Sequence, residues 1–197
     1  MKQVGIFLDR DGTINFEVEY LRSATHLKMI PGSSDAIKEA NELGWKVFII
    51  TNQSGVARGI ITEQELSKIH LALQNILREN SATIDGIYYC PHHPEVGEIP
   101  YRRDCDCRKP KTGMILRAAK EFEIDLTKSY IIGDKMIDIQ TGNNCGVKSI
   151  LVMTGYGKDE LKQCQENKLK IDFIADNLYD AIQYIKRTEH IELPSSH

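Results

Sequence analysis

The sequence has no apolar run approaching the roughly 20 residues that a membrane-spanning helix requires, so no membrane partner is expected. Its first residues lack the basic, apolar and small-residue succession of a secretory signal, and a cytoplasmic location is the expectation. Basic charge is not in excess: 25 Lys and Arg stand against 28 Asp and Glu, a formal net charge of -3. Binding to a nucleic-acid backbone calls for a clustered basic excess, so no nucleic-acid partner is expected. There is no internal repeat and no low-complexity linker. A single domain over residues 1–188 follows, with a polar, unpatterned segment at 189–197 read as a flexible tail. What remains is ordinary for a soluble globular domain, 41% hydrophobic and 27% charged over 197 residues, and a monomer is expected.

Short apolar runs of the kind that buried parallel strands show occur at Val4–Leu8, Val47–Thr51, Ile84–Tyr89, Tyr130–Gly133, Ile150–Met153 and Phe173–Ala175. Helical patterns fall between them. In the clearest, Thr62 and Glu65 form a capping box ahead of Leu66, Ile69, Leu73, Ile76 and Leu77, an apolar stripe that reads as core. Ser33 or Ser34 is placed to cap a helix that Gly44 ends, and Gly113–Phe122 and Leu178–Ile185 read as further helices. Alternating strands and helices predict an α/β fold with a doubly wound, mainly parallel sheet.

In such sheets ligands lie beyond the carboxyl ends of the strands, and here those ends carry chemistry. The first run gives way to Asp9-Arg10-Asp11-Gly12-Thr13. Two carboxylates that close raise each other's pKa, a costly arrangement unless a cation or a proton transfer uses it. The second run ends at Thr51 in "TNQSG", the fourth at Asp134, Lys135 and Asp138 in "GDKMID". "CRKPKTG" supplies Arg108 and Lys109 ahead of a helix. Each feature alone has a plainer reading as a turn, a strand end, a solvated loop or a helix cap; their joint occurrence in this order favours phosphoryl transfer.

The blocks "DRDGTIN", "TNQSGVARG", "CPHHP", "CDCRKPKTGM", "GDKMIDIQTG" and "LVMTGYG" resemble, in order and over nearly the whole chain, the haloacid dehalogenase-like phosphotransferases. Within them the sequence is most similar to the heptose-1,7-bisphosphate 7-phosphatases. The resemblance implies a Rossmann-like domain without a large cap that hydrolyses a sugar phosphate with Mg2+. Asp9 is then the expected nucleophile, forming an aspartyl-phosphate, and Asp11 the general acid and then base facing the leaving group. Mg2+ favours an octahedron of oxygens with several waters kept, which suits Asp9, the Asp11 carbonyl and Asp134. Thr51 and Lys109 are expected to hold the transferring phosphoryl oxygens, and Asp138 to orient either Lys109 or the metal's waters.

Three of the five cysteines lie close together in sequence. Cys90-x-His92 and Cys105-x-Cys107 offer three thiolates and an imidazole, the ligand set of a closed structural Zn2+ site. His92 matches the family's ligand position, so His93 is expected to pack or to contact substrate. Cys145 and Cys164 read as ordinary residues. With all four positions filled the zinc would be scaffold, fixing where Arg108 and Lys109 point.

For substrate, the resemblance implies that Arg108 and Lys135 grip the end that is not hydrolysed. Thr51, Asn52, Gln53 and Ser54, with the flap Glu17, Val18, Glu19 and Tyr20, are expected to line the rest. At Glu19 the family pattern has glycine; the acid here reads as facing solvent, the alternative being repulsion of a second phosphate. Three rivals fit less well. A histidinol phosphatase has a shorter zinc loop than the segment from His93 to Asp104; a polynucleotide end phosphatase would show a basic groove and stacking aromatics, against 7% aromatic residues here. A catalytically dead zinc module would not keep Asp9, Asp11, Lys109 and Asp134 together.

Overall fold

The computed structural model describes residues 2–189, so residues 190–197 of the expected tail lie outside the described residues. Glu189 is tied down, its carboxylate accepting from the Tyr130 hydroxyl (2.6 Å) and from Lys148 (2.9 Å). Strands β1 (Gly5–Leu8), β2 (Lys46–Asn52), β3 (Gly86–Cys90), β4 (Tyr130–Gly133), β5 (Lys148–Val152) and β6 (Phe173–Ala175) form one sheet in the order β3-β2-β1-β4-β5-β6. Every pairing is parallel. Helices α1 (Ser33–Glu42), α2 (Glu63–Glu79), α3 (Gly113–Glu121), α4 (Met136–Cys145), α5 (Gly157–Glu166) and α6 (Leu178–Thr188) supply the connections. The architecture is the doubly wound α/β fold expected from the sequence.

Strand period sets the two layers. Ile6 and Leu8 of β1, with Val47 and Ile49 of β2, pack on one face against Ile37 of α1, Leu66, Ile69 and Leu73 of α2, and Ile182 of α6. Phe7, Phe48 and Ile50 point the opposite way, onto Met114, Ile115 and Ala118 of α3. Ile139 of α4 and Cys164 of α5 meet Leu151 of β5 in a smaller third cluster. The apolar stripe of α2 is core as its spacing indicates, and both halves of its capping box form: Glu65 N–H donates to the Thr62 hydroxyl (3.2 Å) and Thr62 N–H to the Glu65 carboxylate (2.8 Å).

One capping expectation is corrected. Helix α1 is preceded by Gly32 in a left-handed conformation (φ 81°), and the Ser33 hydroxyl donates to the carbonyls of Ile14 (2.9 Å) and Ile30 (2.8 Å). Ser33 therefore pins the loop after β1 and caps nothing. Four strands also shift in their bounds: β1 begins at Gly5, β2 gains Lys46 and Asn52, β3 is Gly86–Cys90, and β5 is Lys148–Val152.

The chain leaves β1 for β2 and β3, then returns to the other side of β1 as β4. The connections at the carboxyl ends of β1 and β4 thus diverge, opening the crevice in which such folds bind ligands.

Candidate active site

Asp9 extends β1 by one residue, its N–H donating to the Ile132 carbonyl of β4 (3.0 Å). That register sets its carboxylate beside the Lys109 ammonium (2.9 Å). Lys109 also reaches Asp138 (2.5 Å) and donates to the Ile50 carbonyl (2.9 Å), so its ammonium has three acceptors although the side chain is almost fully buried. Its backbone is clamped too: Lys109 N–H donates to the Asn52 amide oxygen (3.0 Å), and the Asn52 amide nitrogen donates to the Lys109 carbonyl (3.1 Å). Burial opposes the charge on Lys109, but Asp138 and Asp9 hold its pKa above the ordinary lysine range. Burial pushes Asp138 up to about 6, against the pull of the Lys109 ammonium. Asp138 also accepts from Lys135 N–H (3.1 Å), fixing the start of α4.

Asp134 completes the group. Carboxylate oxygens of Asp9, Asp134 and Asp138 lie within 4.8 Å of one another. Burial, then the charges of Asp9 and Asp138, pushes Asp134 up to about 8. Its Oδ2 accepts from Tyr156 N–H (2.9 Å), while its Oδ1 is buried with no hydrogen-bond partner. Gly12 (φ 83°) lets the loop after β1 turn directly over this carboxylate; a Cβ there would collide with it. An orphaned oxygen, crowded acids and an all-oxygen donor set are what a divalent cation such as Mg2+ satisfies.

Asp11 faces elsewhere. Its carboxylate receives Arg10 Nε (3.1 Å) and Nη2 (2.6 Å), Asn15 Nδ2 (2.9 Å) and Gln53 Nε2 (3.0 Å). Burial would raise its pKa, but the Arg10 guanidinium and these bonds hold it below the usual carboxylate range. Gln53 Nε2 also donates to the Thr51 hydroxyl (2.9 Å), linking the end of β2 to Asp11. Thr51 itself is buried.

A cavity of about 230 Å³ opens above these groups. Asp11, Glu17, Glu19, Tyr20, Asn52, Gln53, Ser54, Arg108 and Lys135 line it. Val18, Thr51 and Lys109, expected with them, do not: Val18 is 45% exposed, and Thr51 and Lys109 are buried. Lys135 pairs with Glu17 (2.7 Å) and sits over the Tyr156 ring, 4.9 Å from its centroid. Burial opposes the Lys135 charge, but Asp9, Asp134 and Glu17 hold its pKa above the lysine range. Glu19 is exposed at the rim, and its φ of 58° is the left-handed conformation that glycine adopts freely.

The second cluster closes on itself. Cys90 Sγ lies 3.5 Å from Cys105 Sγ, Cys105 Sγ 3.2 Å from Cys107 Sγ, and Cys107 Sγ 3.4 Å from His92 Nδ1. A tetrahedron with Zn–S bonds of about 2.3 Å has edges of about 3.8 Å, so the donor set and size fit zinc. His93 turns away: its Nδ1 accepts from Glu95 N–H (3.1 Å) and Val96 N–H (3.0 Å), shaping the loop. Arg108 Nη1 donates to the His92 carbonyl (3.2 Å), which ties the cluster to the cavity wall.

The sequence reading missed Arg10, His70, Asn15 and Tyr156. Tyr156 lies in the "LVMTGYG" block and could have been found in the loop that follows the fifth strand, four residues beyond its end. Arg10 stood between the two aspartates, but its burial and its partner on α2 have no local signature.

Known proteins resemble this chain closely. A HAD-hydrolase-like family model matches residues 106–181. The D-glycero-beta-D-manno-heptose-1,7-bisphosphate 7-phosphatase of Haemophilus influenzae is 41% identical over 183 residues, covering 92% of this chain and 96% of that protein. The chain belongs to the heptose-1,7-bisphosphate 7-phosphatase family. The Escherichia coli K12 member is 39% identical over 186 residues, covering 93% of this chain and 94% of its own. The B. bronchiseptica heptose-bisphosphate phosphatase, solved with magnesium and phosphate, superposes with a TM-score of 0.85 at 30% identity, covering 94% of this chain and 99% of that one. As a member of this family the chain is an enzyme, a phosphatase on the haloacid dehalogenase-like fold.

Proposed function

We propose that this phosphatase removes the 7-phosphate of D-glycero-D-manno-heptose 1,7-bisphosphate through an aspartyl-phosphate on Asp9, acting as a cytoplasmic monomer. The observation that carries the reading is the buried group of Asp9, Lys109, Asp134 and Asp138 at the strand ends, in a chain that matches the curated phosphatases along nearly their full length. Asp9, Asp134 and the Asp11 carbonyl would hold Mg2+, which when bound supplies positive charge to the phosphoryl oxygens.

The side chains divide the work. One Asp9 oxygen attacks phosphorus as the bond to the sugar oxygen breaks, and the leaving oxygen takes a proton from Asp11, which acts in its minor protonated form because Arg10 favours the carboxylate. Asp11, now a carboxylate, takes a proton from the water that attacks the aspartyl-phosphate; phosphate leaves and both carboxyls return to their starting state. Lys109, kept charged by Asp9 and Asp138, stabilises the transferring phosphoryl group together with the Thr51 hydroxyl. Asp138 acts through Lys109 and is a positioning residue. Arg108 and Lys135 take the remote phosphate, with Glu17 steadying Lys135 until substrate arrives. Asn52, Gln53, Ser54, Glu19 and Tyr20 shape the space between. Cys90, His92, Cys105 and Cys107 would hold Zn2+ with no open position, a scaffold that fixes Arg108 through the His92 carbonyl.

Phosphate release from a panel of heptose bisphosphates, histidinol phosphate and 3'-phosphorylated oligonucleotides tests the substrate. Preference for the heptose 1,7-bisphosphate is expected, and preference for either other class would overturn the reading. Removing one charge-assisted contact costs about 1.5 to 3 kcal/mol, so Arg108→Ala should lower bisphosphate kcat/KM on the order of 10- to 100-fold while barely changing monophosphate turnover. Equal losses on both would assign Arg108 to the transferring phosphoryl group.

A further inference from the structure

Arg10 is the largest fully buried side chain among the described residues, and a guanidinium is an expensive group to bury. It is spent on one residue. Its fork closes on both oxygens of Asp11 through Nε and Nη2, in the bidentate geometry that fixes a carboxylate's plane. Nη2 also donates to the Gln53 amide oxygen (3.2 Å), and Nη1 lies 3.2 Å from Nε2 of His70. A guanidinium can only donate, so His70 Nε2 is the acceptor and the ring carries its proton on Nδ1. His70 is buried on α2, where it lies among Leu66, Ile69 and Leu73 as the sole polar buried member of that helix's core face.

We propose that Arg10, anchored by His70, is the positioning residue that aims the Asp11 carboxyl at the leaving oxygen. The inference rests on the assignment of Asp11 as general acid and base made above. Four donors occupy the Asp11 oxygens, two from Arg10 and one each from Asn15 and Gln53. The amide bonds are single and neutral, and either can be given up when an oxygen takes a proton. The fork keeps the plane throughout, because an oxygen that carries a proton still has a lone pair for a guanidinium N–H. A backbone turn alone would not do this: the hydrogen bonds of residues 12–15 and Ser33 hold the backbone after β1, but a held backbone still leaves the Asp11 side chain its own rotamers, so the orientation of the carboxylate comes from a rigid element, α2, through His70 and Arg10. Misplacing a catalytic group by about 1 Å can cost on the order of 100-fold, which sets the scale of the effect.

The test separates proton delivery from fold. An alkyl phosphate needs its leaving oxygen protonated, whereas p-nitrophenolate departs without a proton. Arg10→Lys keeps the charge and loses the fork. It should lower alkyl phosphate kcat on the order of 100-fold, with KM and the first-turnover burst of p-nitrophenol changed by no more than about threefold. His70→Leu removes the anchor and should give the same split at about tenfold, and His70→Gln, whose amide oxygen can accept from Arg10, should restore most of it. Equal losses on the two substrates, or no loss on the alkyl phosphate, would overturn the proposal. So would a His70→Gln enzyme no better than His70→Leu, and that pair decides the matter if thermal melting shows Arg10→Lys unfolded. Asp11→Asn guards the underlying reading: should it retain alkyl phosphate turnover, the Asp11 assignment fails, whereas its loss beside an unaffected Arg10→Lys would refute the role of Arg10 alone.

Discussion

Two clusters that could hold metal flank Arg108 in the chain, one reached through Cys107 and the other through Lys109, and they are built on contrary principles. The carboxylates of Asp9, Asp134 and Asp138 are crowded, Asp134 and Asp138 are raised in pKa, and Asp134 Oδ1 is left without a partner. Cys90, His92, Cys105 and Cys107 face only one another, with every ligand position taken. The first cluster is incomplete and suits an arriving cation; the second would be filled by a single ion and offers nothing more. An unsatisfied site is where chemistry happens; a satisfied one holds the chemistry in place.

The largest expected effect breaks the first cluster at its nucleophile. Asp9→Asn should abolish turnover while leaving fold and substrate binding largely intact; residual activity within about tenfold of the unmodified enzyme would sink the assignment, since losing covalent catalysis removes far more. Chelation sharpens the contrast between the clusters. Stripping Mg2+ should stop catalysis reversibly, whereas zinc should survive that treatment and copurify near one ion per chain, as metal analysis will show. Next in size, Cys105→Ser opens the closed cluster and should lower thermal stability and activity together, because Arg108 loses the fixed His92 carbonyl. A variant that loses its zinc yet keeps full activity would refute the scaffold role. The smallest effect lies at the rim. Glu19 occupies a left-handed backbone conformation that costs a non-glycine residue about 1 to 2 kcal/mol. Glu19→Gly should therefore leave stability unchanged or raise it by less than that strain, the glycine's extra unfolded-chain freedom offsetting part of the relief, and should not alter the bisphosphate preference. A several-fold gain in that preference would instead show that the acid repels a second phosphate.

Much of this was legible in the sequence because it is local. Helix α2 announced itself through Thr62, Glu65 and an apolar stripe, and the strand ends put Asp9, Thr51 and Asp134 where the fold uses them. Helices α4 and α5 were not legible. The first buries Asp138, Thr141 and Gly142 beside Ile139 and so shows no apolar stripe, and the second buries little beyond Gly157 and Cys164. Ser33 had the chemistry of a cap, but the left-handed Gly32 started the helix without it. Arg10 and His70 are 60 positions apart in the chain, and no local pattern records that a charged group at the end of β1 needs an acceptor from α2. Sequence shows which groups a site contains sooner than it shows what holds them still.

The Cys/His cluster has a consequence for the segment between its two halves. Cys90 and His92 stand at one end of residues 93–104, Cys105 and Cys107 at the other, and the four converge regardless of the path between them. Closing a flexible loop becomes costlier only slowly with length, by about 0.6 kcal/mol for each doubling. The stretch is thus an interchangeable insert between two fixed posts. Lengthening or trimming it should leave Lys109 and its carboxylate partners in place.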